Sequence, residues 1–129
     1  MNNSLYNPIK GTIIATRQMT ATEKWFKIEL ENKKDLTHNP GQFVEVSLLG
    51  LGEAPISISS SPTQKGYFEL CVRQAGKITT ALHKLKEGDN LGIRGPFGHG
   101  FPLDELKGKD LLFIAGGLGI APLRSLINY

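Results

Sequence analysis

The sequence predicts a mostly β fold, on three observations. Six short segments have the composition or the period-two alternation of β-strands, at spacings of roughly 8–16 residues. The chain has 15 Gly and 7 Pro in 129 residues, so long uninterrupted helices are not expected. Within the first hundred residues, only one segment has helical spacing. These features favour a six-stranded antiparallel barrel of Greek-key type, with a two-sheet sandwich as the alternative.

The first three predicted strands lie in the N-terminal part of the chain. Residues 9–17 and 25–30 carry β-favouring apolar stretches separated by the polar residues 20–23, so we expect adjacent antiparallel strands. Asn39-Pro40-Gly41 is a turn signal, and residues 42–48 then alternate with period two. This third segment is predicted to be a half-buried strand.

Three further strands and a short helix complete the predicted barrel. Residues 56–60 alternate after a glycine loop, and residues 67–73 follow as the fifth strand. The period then changes to that of a short helix, which starts at Thr79 and ends near Gly88. Residues 91–94 are the sixth strand, which we expect Gly95-Pro96 to stop.

The last part of the chain has a different pattern. Residues 111–115 are a continuous apolar run, typical of a parallel strand buried on both faces, and residues 122–127 begin like a helix. We therefore expect a barrel domain over residues 1–104 and the incomplete first strand–helix unit of an α/β domain over 105–129. The apolar run would then pack on the barrel or on another copy of the chain.

Composition excludes several classes of protein. The net charge of +3 is too small to indicate nucleic-acid binding without a basic cluster, and no apolar run approaches the length of a membrane span. Residues 1–7 show no secretory signal, so we expect a cytoplasmic protein. Cys71 is the single cysteine, and the three histidines lack ligand spacing, so neither an internal disulfide nor a metal site is expected.

The strongest local motif is the glycine cluster Gly116-Gly117-Leu118-Gly119, which lies between the apolar run and the last helix. Glycines there let backbone N–H groups approach a phosphate, and Pro122 suits the first turn of a helix. Pro122 also stands where the third glycine of G-x-G-x-x-G would be. A tight connection without a ligand is the alternative interpretation.

Two weaker motifs occur on the predicted barrel. Arg73 precedes Gly76 and the start of the short helix, where Thr79 or Thr80 could bind a phosphate or only cap the helix. On the fourth strand, Ser57 and Ser59 share one face and could bond a heterocycle or simply face solvent. No nucleophilic or acid–base arrangement is visible, as expected where a redox cofactor supplies the chemistry.

Taken together and in their order along the chain, the three motifs resemble the ferredoxin-reductase family of flavoproteins, in which a β-barrel FAD domain precedes an NAD(P)-binding α/β domain. Gly88-Asp89 and Gly95-Pro96-Phe97-Gly98 add to the likeness. The sequence is most similar to the electron-transfer (gamma or B-type) subunits of cytoplasmic hydrogenase, anaerobic sulfite reductase and dihydroorotate dehydrogenase. The resemblance implies the FAD-binding part of an NAD(P)H-linked oxidoreductase subunit, which passes electrons between nicotinamide, flavin and an iron–sulfur centre.

The resemblance also implies roles for individual residues, none of them catalytic. The strand that carries Ser57 would lie against the flavin, the end of the next strand would line its ribityl and phosphate side, and the following loop would hold the pyrophosphate. The glycine cluster would begin the NAD(P) site. The implied FAD residues are Ala54, Pro55, Ile56, Ser57, Cys71, Val72, Arg73, Gly76, Lys77, Ile78, Thr79 and Thr80, and the implied NAD(P) residues are Gly116, Gly117, Gly119 and Pro122.

The sequence departs from the family pattern at two places. The family usually has Arg at the position of Ala54 and often Tyr at that of Ile56, so either FAD binds more weakly or Arg73 and Lys77 supply the phosphate charge. A full NAD(P) site and a [2Fe–2S] centre are expected only beyond residue 129, so this chain alone should be inactive with NAD(P)H. Catalytic or iron–sulfur partner subunits are implied. The alternative function is a β-barrel module that binds a partner protein without a cofactor.

Overall fold

The computed structural model describes residues 6–129. Two short 3-10 turns, Glu31–Lys33 and Gly117–Gly119, accompany six strands and three helices. The strands are β1 (Ile9–Gln18), β2 (Glu23–Leu30), β3 (Phe43–Leu48), β4 (Gly52–Ser57), β5 (Phe68–Arg73) and β6 (Asn90–Phe97), and the helices are α1 (Lys77–His83), α2 (Leu103–Leu106) and α3 (Ile120–Ile127). None of the helices in residues 6–129 has the length and apolarity needed to cross a membrane.

The six strands form one antiparallel sheet in the order β4-β3-β6-β1-β2-β5. The sheet curls until its edges meet just beyond β4, where Ile58 forms a bridge with Leu70 and the Ser59 N–H donates to the Glu69 carbonyl at 2.9 Å. We call residues 58–60 and 68–70 the seam. A single curled sheet confirms the predicted six-stranded barrel fold over the sandwich, although its edges pair only at the seam.

The period-two pattern of the sequence produces the core. Alternate residues of β2, β3 and β5 point inward, and each fully buried apolar side chain contributes about 1.5–3 kcal/mol. Helix α1 covers one end of the barrel through Leu82, which is 2% exposed. The core consists of Ile13, Phe26, Ile28, Leu30, Val44, Val46, Ile58, Phe68, Leu70, Val72, Leu82, Leu91 and Ile93.

Two strands differ in extent from their predictions. Strand β4 starts at Gly52 and ends at Ser57, because its backbone pairs with all of β3 from Leu48 back to Phe43. Strand β6 continues through Gly95-Pro96, where the sequence predicted a stop, and Phe97 pairs with Phe43. A register shift between Phe43 and Glu45 accommodates the proline there, as bulges commonly do.

The prediction of a buried strand at residues 111–115 is wrong for this chain. The segment has no strand assignment, and Leu112 and Ile114 are 86% and 83% exposed. A parallel strand needs a neighbouring strand for its backbone hydrogen bonds, and within residues 6–129 no strand lies beside it. The following helix does form as predicted and contacts the barrel.

Candidate functional site

A cleft of about 330 Å³ lies between the outer surface of the barrel and the start of α3. It unites parts of the three motifs that the sequence singled out, although these are far apart in the chain. The lining residues are Pro55, Ile56 and Ser57 from β4, Cys71 and Arg73 from β5, and Leu118, Gly119, Ala121 and Pro122 from the last turn and helix.

The alternation of β5 places its predicted site residues on opposite faces of the sheet. Cys71 and Arg73 lie on the outer face and line the cleft, whereas the Val72 side chain is 1% exposed and points into the core. The backbone carbonyl of Val72 accepts a hydrogen bond from His83 Nε2 at 2.7 Å. Val72 therefore supports the position of α1, and its side chain does not reach the cleft.

Ser57, at the end of β4, and Ser59, just beyond it, have different environments. Ser57 is half-buried in the cleft, and no partner for its hydroxyl occurs within residues 6–129. Ser59 is 2% exposed, and its hydroxyl donates to the Glu69 carbonyl at 3.0 Å. Ser57 is thus free to bond a ligand, whereas Ser59 joins the two edges of the sheet.

Helix α3 is fixed to the seam and forms one wall of the cleft. The Ser125 hydroxyl, fully buried, donates to the Ser60 carbonyl at 2.6 Å. Arg124 Nη1 donates to the Ser59 carbonyl at 3.1 Å and forms an ion pair with Glu69. Sequence reasoning missed these contacts, because they join residues that are about 55–65 positions apart and no local pattern records such pairing.

Arg73 is held by a carboxylate at the cleft. Its Nε donates to Glu23 Oε1 at 2.6 Å, and these residues lie directly opposite each other on β5 and β2. The hydroxyl of Thr20 is the larger influence on Glu23, and together with Arg73 it lowers the pKa of that carboxyl from 4.5 to about 2. Glu23 is therefore ionised at neutral pH. The sequence placed it in a polar connection, where its partner could not be predicted.

Cys71 is half-buried in the wall of the cleft. Burial raises the pKa of its thiol, and the negative charge of Glu23 raises it further. The thiol stays protonated at neutral pH, so it is not an activated nucleophile. Its contribution to the cleft is a small, weakly polar surface.

The loop that leads into α1 is folded around Thr79. The Thr79 hydroxyl accepts hydrogen bonds from the Ala75 and Gly76 N–H groups at 2.9 and 2.8 Å. Gly76 is the N-cap, so Thr79 is the third helical residue and the helix starts before its predicted position. This loop follows Arg73 directly, but Gly76, Lys77, Thr79 and Thr80 do not line the cleft itself.

The remaining predicted residues lie beside the cleft. Ile78 is half-buried against the core and faces Gly52, and Ala54 pairs with Val46 without lining the cleft. Gly116 and Gly117 are exposed, and a methyl group placed on Gly117 would lie 3.5 Å from Arg73 Nη2. Within residues 6–129, no group of three or more metal-ligating side chains is present.

Comparison with known sequences identifies a family and several relatives. Residues 10–101 match the family described as the oxidoreductase FAD-binding domain. The gamma subunit of sulfhydrogenase 1 from Pyrococcus furiosus is 49% identical over an alignment of 131 positions, which covers 99% of this chain and 45% of that protein. A probable dihydroorotate dehydrogenase B (NAD(+)) electron transfer subunit from Methanocella arvoryzae is 40% identical, over 92% of this chain and 42% of that protein. The chain thus spans less than half the length of these relatives.

Solved structures show the same fold. An Amycolatopsis cytochrome P450 reductase superposes with a TM-score of 0.79 and 25% identity, over 92% of this chain and 37% of that one. A phthalate dioxygenase reductase superposes with a TM-score of 0.81 and 19% identity, over 94% of this chain and 39% of that one. The second similarity concerns the fold alone.

Proposed function

The chain belongs to the oxidoreductase FAD-binding domain family, and on that premise we propose that the cleft holds the isoalloxazine ring of FAD in an NAD(P)H-linked electron-transfer flavoprotein. The observation that carries the proposal is the convergence of β4, β5 and the glycine turn on one cleft. The seam and the contacts of α3 bring these segments together, and a ligand shared by the three motifs accounts for why their polar groups and glycines line the same cleft.

The residues present fit a flavin. Pro55, Ile56 and Pro122 give the cleft apolar walls, and the unpaired Ser57 hydroxyl offers a hydrogen bond to a ring heteroatom. A volume of about 330 Å³ is at the small end of ligand pockets, which suits the ring of a dinucleotide with its phosphates outside. Arg73 stands between the cleft and the loop before α1, in a position to meet those phosphates.

This arrangement suggests how the chain compensates for its departures from the family pattern. Ala54 cannot bind a phosphate, but Arg73 keeps its terminal nitrogens available, and Lys77 is exposed at the start of α1. Ile56 presents an aliphatic surface where the family often has an aromatic ring. Bound FAD would supply hydride acceptance and electron release, while the protein residues bind the ring, orient it and shield one face.

The proposal extends to the complete protein. Residues 105–129 would open an NAD(P)-binding unit, with Gly116, Gly117, Gly119 and Pro122 at the start of its site. The two relatives described above are named as subunits, so we propose that the protein works in the cytoplasm beside catalytic or iron–sulfur subunits. The final acceptor would then receive electrons through an iron–sulfur centre.

FAD reconstitution tests this function. Purified protein incubated with FAD should retain yellow, fluorescence-quenched flavin after desalting. Arg73→Ala should lower the affinity for FAD by about tenfold or more, because a charged hydrogen bond is lost, whereas Lys33→Ala in the Glu31–Lys33 turn should leave it unchanged. A colourless protein without FAD affinity would favour a partner-binding module, and equal affinities of the two variants would contradict the phosphate role of Arg73.

A further inference from the structure

In the part of the chain that the structure describes, the guanidinium of Arg73 is bonded to the protein through one nitrogen. Its Nε donates to Glu23, and within residues 6–129 no other protein group bonds it. Its side chain is 49% exposed, whereas that of Glu23 is 13% exposed. A long cation beside a cleft would ordinarily sample many rotamers, so a fixed Nε contact limits where its two terminal nitrogens point.

From this geometry we propose that Glu23 is a positioning residue, which aims the terminal nitrogens of Arg73 at a phosphate oxygen of a nucleotide bound in the cleft. The inference rests on the proposed function, because it requires a nucleotide in the cleft. It assigns a task to Glu23, a residue outside the motifs that identified the site. It concerns a phosphate oxyanion, which could belong to FAD or to the nicotinamide nucleotide.

The carboxylate of Glu23 is itself held in place. Both Thr20 and Thr22 donate their hydroxyls to it, and Thr20 Oγ1 also accepts the Glu23 N–H at 3.1 Å. These bonds close the connection between β1 and β2 around the carboxylate. Because the carboxylate cannot rotate away, the Nε contact gives Arg73 a defined direction. The low pKa of Glu23 keeps this anchor ionised throughout the neutral range.

The planar shape of the guanidinium determines which of its N–H donors remain available to a ligand. It is a rigid planar fork, so a contact at Nε leaves the Nη1 and Nη2 donors directed elsewhere in the same plane. Gly117 lies near these nitrogens, since a methyl group placed on it would be 3.5 Å from Nη2 and 3.9 Å from Nη1, and as a glycine it has no side chain to fill that space. The two parallel Nη donors are the arrangement that binds a phosphate with two hydrogen bonds.

Glu23 also has an opposing effect, because its negative charge partly cancels that of Arg73 and repels an anion. Because half of the Arg73 side chain is exposed, solvent and salt screen this repulsion, whereas they do not replace the direction that the hydrogen bond gives to the guanidinium. We therefore expect positioning to outweigh repulsion. The two effects predict opposite signs for a Glu23→Gln variant.

The experiment compares Glu23→Gln with the wild type and with Glu87→Gln, a control on an exposed carboxylate away from the cleft. Three probes are titrated: FAD, riboflavin, which lacks phosphate, and ADP-ribose added to the FAD-loaded protein. In Glu23→Gln the uncharged amide oxygen is a weaker acceptor for Arg73 Nε, and the amide nitrogen cannot accept the Thr20 hydroxyl. The variant should therefore lower the affinity for FAD or ADP-ribose by about fivefold to tenfold and leave riboflavin unchanged. The probe that responds identifies which phosphate Arg73 contacts.

Further variants separate positioning from folding. Arg73→Lys keeps the charge but loses the fork, so it should weaken the same probe, and its effect should not add to that of Glu23→Gln. If Glu23→Gln does not fold, Thr22→Val removes only the hydroxyl that donates to Glu23 Oε1 and should give a smaller loss in the same direction.

Several results would overturn the proposal. Unchanged or tighter binding of both phosphate probes, or an equal loss with riboflavin, would show that Glu23 does not aim Arg73. Wild-type protein that binds none of the probes would refute the flavin function as well, whereas wild-type binding without an effect of Glu23→Gln would refute only the positioning role.

Discussion

Ser125 should determine how firmly α3 is held against the barrel. Its buried hydroxyl donates to the Ser60 carbonyl at 2.6 Å, and His38 Nε2 lies 3.2 Å from the same oxygen. In a Ser125→Ala variant the hydroxyl is lost, but the carbonyl keeps the histidine as a neighbour. The wall of the cleft that contains Ala121 and Pro122 would then be attached less firmly.

The size of the effect follows from this geometry. Loss of one buried hydrogen bond costs about 1–2 kcal/mol when its acceptor is not left wholly unpaired. The Arg124–Glu69 ion pair should contribute only about 0.2–1 kcal/mol, because the arginine side chain is 46% exposed and solvent screens the pair. Glu69→Gln removes this ion pair and leaves the Arg124 bond to the Ser59 carbonyl in place. Ser125→Ala should therefore weaken the docking of α3 more than Glu69→Gln does.

Hydrogen–deuterium exchange measures this difference locally. In Ser125→Ala, we expect protection of the α3 amides to fall about 5–30-fold, the equivalent of 1–2 kcal/mol, while the amides of β2 and β5 keep theirs. Flavin affinity should fall with it, because one wall of the cleft moves more freely. A larger effect of Glu69→Gln, or unchanged protection of α3 in Ser125→Ala, would refute this account of how the helix is held.

Two further predictions concern the acid range and the exposed apolar segment. Because the pKa of Glu23 is lowered in the folded state, the wild type should be more stable than Glu23→Gln above pH 4.5. Urea titrations should show this advantage disappearing as the pH falls towards about 2. A difference in the free energy of unfolding that is independent of pH would contradict this expectation. Leu112→Gln should change the free energy of unfolding by no more than about 0.5 kcal/mol, because Leu112 is 86% exposed; a loss of several kcal/mol would mean that the segment is packed after all.

The elements that local patterns describe well were predictable. The alternation of β2, β3 and β5 records which side chains face the core, and the change to helical spacing marks α1. The bounds of β4 and β6 were predicted incorrectly, because they depend on the backbone groups of the neighbouring strand that are available for pairing. Residues 111–115 have the apolar composition of a strand, but the part of the chain that the structure describes has no strand beside them.

The candidate site was predictable in part. Of the residues named from the sequence, those that line the cleft are Pro55, Ile56, Ser57, Cys71, Arg73, Gly119 and Pro122. Val72, which the resemblance implied, is buried in the core, because adjacent residues of a strand face opposite sides of the sheet. The loop residues Gly76, Lys77, Thr79 and Thr80 also lie outside the lining.

The sequence by itself determined the barrel class, the family resemblance and the segments that form the cleft, because each depends on local composition and order. Only the tertiary structure decided that Ser59 belongs to the seam, that Glu23 holds Arg73, and that Arg124 and Ser125 attach α3 to the barrel. These contacts join residues that are 10 to 65 positions apart. Their existence depends on the curvature and register of the whole sheet, which no single segment encodes.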